Sequence, residues 1–127
     1  IKVVLLEPGK LARTAEIGTS IEDLQNAVDG LIEPFYPFEE QVCIVCNDEG
    51  KINGMLPNRS VKNKDGVMVD FIFGPAFICD CRGESFDSLS DEQIARYTKM
   101  FRYPEHLARL NGKLIGIPFN PQREHER

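Results

Sequence analysis

The sequence predicts an α+β fold, a single compact domain with a mainly antiparallel sheet and two helices. Strand-like apolar runs outnumber helical stretches and do not alternate regularly with them, which argues against a parallel α/β architecture. Two segments carry N-terminal capping signals ahead of a helical apolar period. Turn signals rich in Asn, Gly and Pro separate the remaining runs.

Residues 1–6, IKVVLL, form an apolar run that predicts a strand buried on both faces, with a central position in the sheet. Glu7-Pro8-Gly9-Lys10 then turns the chain, and Arg13 to Ile17 form a short, half-exposed second strand. Thr19 or Ser20 caps a helix, with Asp23 standing in for the capping-box Glu. Ile21, Leu24 and Val28 give it one apolar face, and Gly30 ends it.

Leu31 to Phe38, LIEPFYPF, is extended and aromatic-rich; Pro34 and Pro37 cannot donate to a ladder, so it is an edge strand or an irregular strand. Its Phe35, Tyr36 and Phe38 are expected in core and rim packing. The stretch from Gln41 to Val61 reads as a hairpin. Val42, Ile44 and Val45 make its first arm, Asp48-Glu49-Gly50-Lys51 its turn, and Ile52 to Leu56 its second arm. That arm would deliver a loop, Leu56-Pro57-Asn58-Arg59.

A polar link, Lys62 to Gly66, leads to Val67–Cys79, which is strand-like throughout apart from a bulge or bend at Gly74-Pro75. Ser90 caps the second helix, with Gln93 at the capping-box position and Asp91 and Glu92 suited to the macrodipole of its first turn. Ile94, Tyr97, Thr98 and Phe101 supply its packed face, and Pro104 stops it. Asn111-Gly112 between Leu107–Leu110 and Lys113–Ile117 is the strongest short hairpin signal in the chain. Residues 1–119 thus make the domain, and 120–127 are expected to be a disordered, charged tail.

A length of 127 residues is enough to bury a core without metals or disulfides. The formal net charge of −5 argues against binding a nucleic-acid backbone, which needs a basic stripe. No apolar run approaches the roughly 20 residues that span a bilayer, and IKVVLLEPGK is too short for a signal peptide. The expected setting is cytoplasmic, with no membrane partner.

Cys43-x-x-Cys46 followed by Cys79-x-Cys81 has the outline of a zinc site, but the residues between the first pair are Ile44 and Val45. Both are β-branched strand formers, so Cys43 and Cys46 should point to opposite faces of a strand, while Cys79 and Cys81 share one. The expectation is four reduced thiols, no bound metal and no cofactor.

Only two histidines exist, His106 after a helix-stopping proline and His125 in the tail, so a Ser-His or Cys-His nucleophile pair is not expected. No phosphate-cradling glycine loop is present. The carboxylate pairs Glu39-Glu40 and Asp48-Glu49 fall in loops without any sign of convergence. Lys10, Asn58 and Arg59 are the candidate ligand-binding residues, because the Arg fork matches anions and Asn can both donate and accept. The competing expectation is that Arg59 is a buried structural fork, bonded to a carboxylate such as that of Glu7 or to several main-chain carbonyls, and that Asn58 satisfies its own loop.

VCIVCNDEGKINGMLPNR, FGPAFICD and SLSDEQIARYTKMF, with the opening strand and Glu7-Pro8-Gly9-Lys10, resemble a family of small proteins catalogued as a domain of unknown function. Its members occur in gut Gram-positive bacteria, in phages, and on plasmids and conjugative elements. The resemblance runs from about Lys2 to Pro121 and implies an accessory protein of mobile genetic elements; it brings no catalytic residues with it. The expected function is therefore non-enzymatic binding of another protein. The alternatives are a small-ligand protein holding an anionic nucleotide with Lys10, Asn58 and Arg59, and a hydrolase whose site is invisible in the sequence.

Overall fold

A computed structural model describes residues 1–124. Five strands form the main sheet: β1 (Lys2–Leu6), β2 (Arg13–Glu16), β3 (Ile32–Phe35), β4 (Val42–Asn47) and β7 (Ala76–Asp80), in the order β2-β1-β7-β4-β3. Every pairing is antiparallel. β5 (Pro57–Lys62) and β6 (Met68–Phe73) make a second, two-stranded sheet, and β8 (Glu105–Leu110) and β9 (Lys113–Pro118) a third. Helices α1 (Ile21–Val28) and α2 (Asp91–Met100) complete the α+β architecture, with one further helical turn, α3, at Pro121–Glu124. Residues 125–127 of the predicted tail lie outside the described residues.

Alternation along the three inner strands puts apolar side chains on both faces of the main sheet, so it needs a cover on each side. On one face Val3, Cys43, Val45, Phe77 and Cys79 meet Leu24 and Val28 of α1. On the other, Val4, Leu6, Val42, Ile44 and Ile78 meet Tyr97 and Phe101 from α2 and its C-terminal end, together with Val61 of β5 and Ile72 of β6. β1 sits inside the sheet between β2 and β7, as its unbroken apolar run requires, and the proline-bearing β3 takes the edge.

Both helices start as their sequences predict. The Ser20 side chain accepts from the N–H of Asp23 at 3.0 Å. Ser90 and Gln93 form a complete capping box, each side chain bonded to the other residue's main-chain N–H. At the end of α1 it is Asp29 that adopts the left-handed conformation, with φ of 59°, and Gly30 allows a close neighbour. Asn47 donates from Nδ2 to the carbonyls of Val28 (3.0 Å) and Asp29 (3.2 Å), tying β4 to the helix end, and a Cβ on Gly30 would sit 2.6 Å from that nitrogen.

The hairpin expected over Gln41–Val61 does not form. β4 pairs with β3 and β7, β5 pairs with β6, and Ile52 and Leu56 are exposed. β4 is buried on both faces and so sits between two strands of the main sheet. Glu49 to Met55 coil tightly, with the N–H groups of Asn53 and Met55 bonded to the carbonyls of Glu49 and Gly50. The polar link at Lys62–Gly66 is the real hairpin turn, organised by Asn63 Oδ1, which accepts from the N–H groups of Asp65 and Val67. At Gly74, with φ of 80°, the chain leaves the small sheet and re-enters the main one as β7. The Asn111-Gly112 turn joins β8 to β9 as predicted, both residues having positive φ.

Candidate functional site

Pro57-Asn58-Arg59 opens β5 instead of forming a loop. The pairing with β6 shifts here: Pro57 lies opposite Phe73 and Arg59 opposite Ile72, so Asn58 is an extra residue, a β-bulge. In a regular strand, consecutive side chains would point to opposite faces. The bulge lets both Asn58 and Arg59 be buried, each at 0% exposure.

Arg59 uses all five of its N–H groups. Nε donates to the carbonyl of Phe101 at 2.7 Å; Nη1 donates to the carbonyl of Glu7 (3.2 Å) and to Asn58 Oδ1 (2.6 Å); Nη2 donates to the carbonyls of Lys10 (2.6 Å) and Arg102 (3.4 Å). Asn58 in turn donates from Nδ2 to the carbonyls of Leu6 (3.0 Å) and Gly74 (2.8 Å). The two side chains thereby fasten the end of β1, the turn after it, the β6–β7 junction and the end of α2 to one strand. Burial pushes the guanidinium down to about 10, partly opposed by the carboxylates of Glu105 and Glu7, so it stays charged at neutral pH. Its position against the carbonyls of Phe101 and Arg102, just past the C-terminal end of α2, also suits the negative end of the helix. This is the geometry of a structural fork, with the carbonyl rather than the carboxylate of Glu7 as the acceptor. Of the three sequence candidates, Asn58 and Arg59 are brought together with their donors taken by the protein. Lys10 reaches the cluster only through its carbonyl, while its exposed amine pairs with Glu7 at 3.5 Å.

A concavity begins beside this cluster. It is a groove of about 840 Å³ lined by β5 and the turn after it, by the Pro37–Glu40 segment, by α2 and its end, and by Glu105. That volume lies within the usual range for binding sites. Phe38, Tyr97, Met100 and Phe101 give it an apolar floor, with the Phe38 ring 4.7 Å from that of Tyr97 and 6.2 Å from that of Phe101. Met100 is 56% exposed there.

The rim is charged, and most of its charges are already engaged. Glu40 accepts from the Tyr97 hydroxyl, from Arg96 Nη1 at 2.8 Å and from Gln93 Nε2 at 3.3 Å. The Tyr97 bond chiefly holds the Glu40 carboxyl below its ordinary range, with Gln93 and Arg96 adding to it against a burial penalty. Burial and the same carboxylate raise the Tyr97 hydroxyl. Glu105 accepts from the Ser60 hydroxyl at 2.6 Å, and Glu39 pairs loosely with Lys64 at 3.5 Å. Glu40, set aside in the sequence as a loop carboxylate, therefore does converge with other groups; its partners lie more than 50 residues away, where no spacing rule reaches.

Among the described residues, no histidine or cysteine lines the groove. His106 stacks on Phe119 at 3.9 Å between ring centres, and His125 lies outside the described residues. The cysteines divide as the strand reading requires. Cys43 and Cys79 face each other across β4 and β7 with sulfurs 3.7 Å apart, Cys81 lies on the same side, and Cys46 packs on the opposite face. The neighbouring thiol and burial raise Cys43, and burial raises Cys46 and Cys81 to about 11 each. Protonated thiols of this kind are poor nucleophiles. Among the described residues, no group of three His, Cys, Asp or Glu side chains is placed to hold a metal ion, and no helix is long and apolar enough to cross a membrane.

A family model described as a domain of unknown function (DUF3846) matches residues 1–102. No curated protein and no solved structure matches the chain.

Proposed function

This chain belongs to the DUF3846 family, and for it we propose a non-enzymatic role: it binds another protein, and the groove between β5 and α2 takes a segment of that partner. One observation carries the proposal. The groove joins an open apolar floor to a rim whose carboxylates are already bonded within the protein. Acid–base catalysis needs a titratable group with access to substrate, whereas Glu40 and Glu105 act here as fasteners of the walls. An exposed methionine sharing a groove with aromatic rings is the kind of adaptable surface that protein partners use. The setting we assign, a cytoplasmic accessory factor of a phage, plasmid or conjugative element, rests on the family resemblance.

The test compares co-purification from the native host by the wild type and by Met100→Glu, which alters an exposed position and should leave stability unchanged. A partner retained by the wild type and lost by the variant supports the proposal. The anionic-nucleotide alternative makes a different demand. A nucleotide at 100 times its dissociation constant would add about 2.7 kcal/mol of stability. Such a gain, unaffected by Met100→Glu and with no partner lost, would replace the protein-binding reading.

A further inference from the structure

Away from the groove, we infer that this chain forms a dimer in which the outer edge of β9 pairs antiparallel with the same edge of a second copy, about a two-fold axis at Ile115. The β8–β9 hairpin lies outside the residues that the family model matches and forms a sheet of only two strands. Its two-residue turn at Asn111-Gly112 and the bond from the Phe119 N–H to the Pro104 carbonyl at 3.0 Å fix which main-chain groups face inward. Leu110 with Lys113, Ala108 with Ile115 and His106 with Ile117 are the pairs that exchange bonds. The N–H and C=O groups of Leu114 and Gly116 point the other way, and among the described residues no hydrogen bond from another segment reaches them. That edge is open: Leu114 is 47% exposed and Ile117 45%, with Lys113 and Pro118 exposed at either end.

The sequence of this edge selects a second copy as its occupant. Sheet edges are normally guarded by charge, proline or bulges. The main sheet follows that rule, with Arg13 and Glu16 on β2 and Pro34 on β3. Residues 114–117, LIGI, are uncharged, so two copies meet there without like charges opposite one another. Centring the pairing on Ile115 uses the free groups fully: Leu114 exchanges main-chain bonds with Gly116 of the partner subunit, and Gly116 with Leu114 of the partner subunit. Each leucine then stands opposite a glycine, which has no side chain to oppose it, and Ile115 meets Ile115 of the partner subunit as a β-branched pair. The two hairpins become one four-stranded sheet with the two copies of β9 at its centre, whereas a two-stranded sheet is marginal alone. A strand of 6 residues per copy makes a small interface, so the dimer is weak and concentration-dependent.

The test is analytical sedimentation across a concentration range, with substitutions at the two-fold position. The wild type should move from the chain mass of 14.4 kDa to twice that value as concentration rises. Ile115→Lys and Ile115→Glu each set like charges against one another and should sediment as monomers; mixed in equal amounts, they should form a heterodimer. Leu114→Pro removes an outward N–H and no bond within the hairpin. It should weaken dimerisation by about tenfold or more while the circular dichroism spectrum stays that of the wild type, and it carries the test if an Ile115 variant does not fold. A wild type still monomeric at a concentration on the order of 1 mM, where even a weak pairing is populated, would overturn the inference. So would a dimer that survives Leu114→Pro, or a mixture of folded Ile115 variants that stays monomeric. Met100→Glu, in the groove, should leave the dimer unchanged; loss of the dimer in that variant would place the interface at the groove instead.

Discussion

Replacing Arg59 by alanine removes a guanidinium whose five N–H groups meet four main-chain carbonyls and the Asn58 side chain. The loss has two parts. The buried stem leaves a cavity, and several acceptors that water cannot reach lose their donor. An unsatisfied buried polar group costs about 1–3 kcal/mol, although relaxation and entering water reduce the sum. Opposing this, the variant no longer has to bury a charge, which is the effect that lowers the guanidinium to about 10. Net destabilisation should be about 3–5 kcal/mol, the range found when one partner of a buried charged network is deleted. With a urea slope of about 2 kcal/mol/M for a chain of this size, the midpoint should fall by about 2 M. Total stabilities are typically only 5–15 kcal/mol, so Arg59→Ala could be too unstable to purify. Arg59→Lys then serves instead: three donors on a point charge can replace some of the five bonds but not the planar fork, and the drop should be smaller yet measurable. A midpoint for Arg59→Ala equal to that of the wild type would refute the fork as a source of stability and return Arg59 to the list of ligand-reading residues.

Three other outcomes follow from the same structure. Glu40 has a folded-state pKa held below its unfolded value, so its contribution is present above about pH 4.5 and disappears as pH falls through the folded value. Glu40→Gln should therefore be less stable than wild type by about 1 kcal/mol at pH 7, with the difference shrinking by pH 3; urea midpoints that differ equally at both values would contradict this. Asn47→Ala removes the two bonds to the end of α1 and should cost about 1–2 kcal/mol by chemical denaturation, while faster hydrogen exchange in the last turn of α1 locates the effect. With Cys46 and Cys81 raised to about 11, a disulfide reagent at pH 7 should modify them slowly and with a steep rise above pH 9. Cys43 and Cys79, both fully buried, should react only on unfolding, and a rapid burst of one thiol at pH 7 would show an activated cysteine instead.

What the sequence made legible was local. The capping box of Ser90 and Gln93, the interior position of β1, the proline-bearing edge strand and the Asn111-Gly112 hairpin each depend on neighbouring residues, and each has the predicted form. Strand partners were not legible in the same way. An apolar run such as VCIVC reports that a strand is buried on both faces but not which strands flank it, and proximity in sequence wrongly assigned its partner to Ile52–Leu56. The site was harder still. Glu40, Tyr97 and Lys62 come from three separate segments, and their convergence is a product of topology.

The bulge at Asn58 joins the structural and functional readings of β5. It turns two consecutive side chains into the protein, where Arg59 holds the carbonyls at the end of α2 and Asn58 those of Leu6 and Gly74. β5 beyond the bulge resumes its pairing with β6 through Ser60 and Val61, and Ser60 and Lys62 line the groove. Because Arg59 bonds the carbonyl of Phe101, whose ring lies in the groove floor, the spacing between the β5 wall and the α2 wall is set by a buried, charge-assisted bond of 2.7 Å. Glu40 fixes the third wall to α2 through Arg96 and Tyr97. The polar groups first weighed as ligand contacts instead tie the walls of the groove to one another, and such preorganisation lowers the cost of ordering that the proposed binding would otherwise incur.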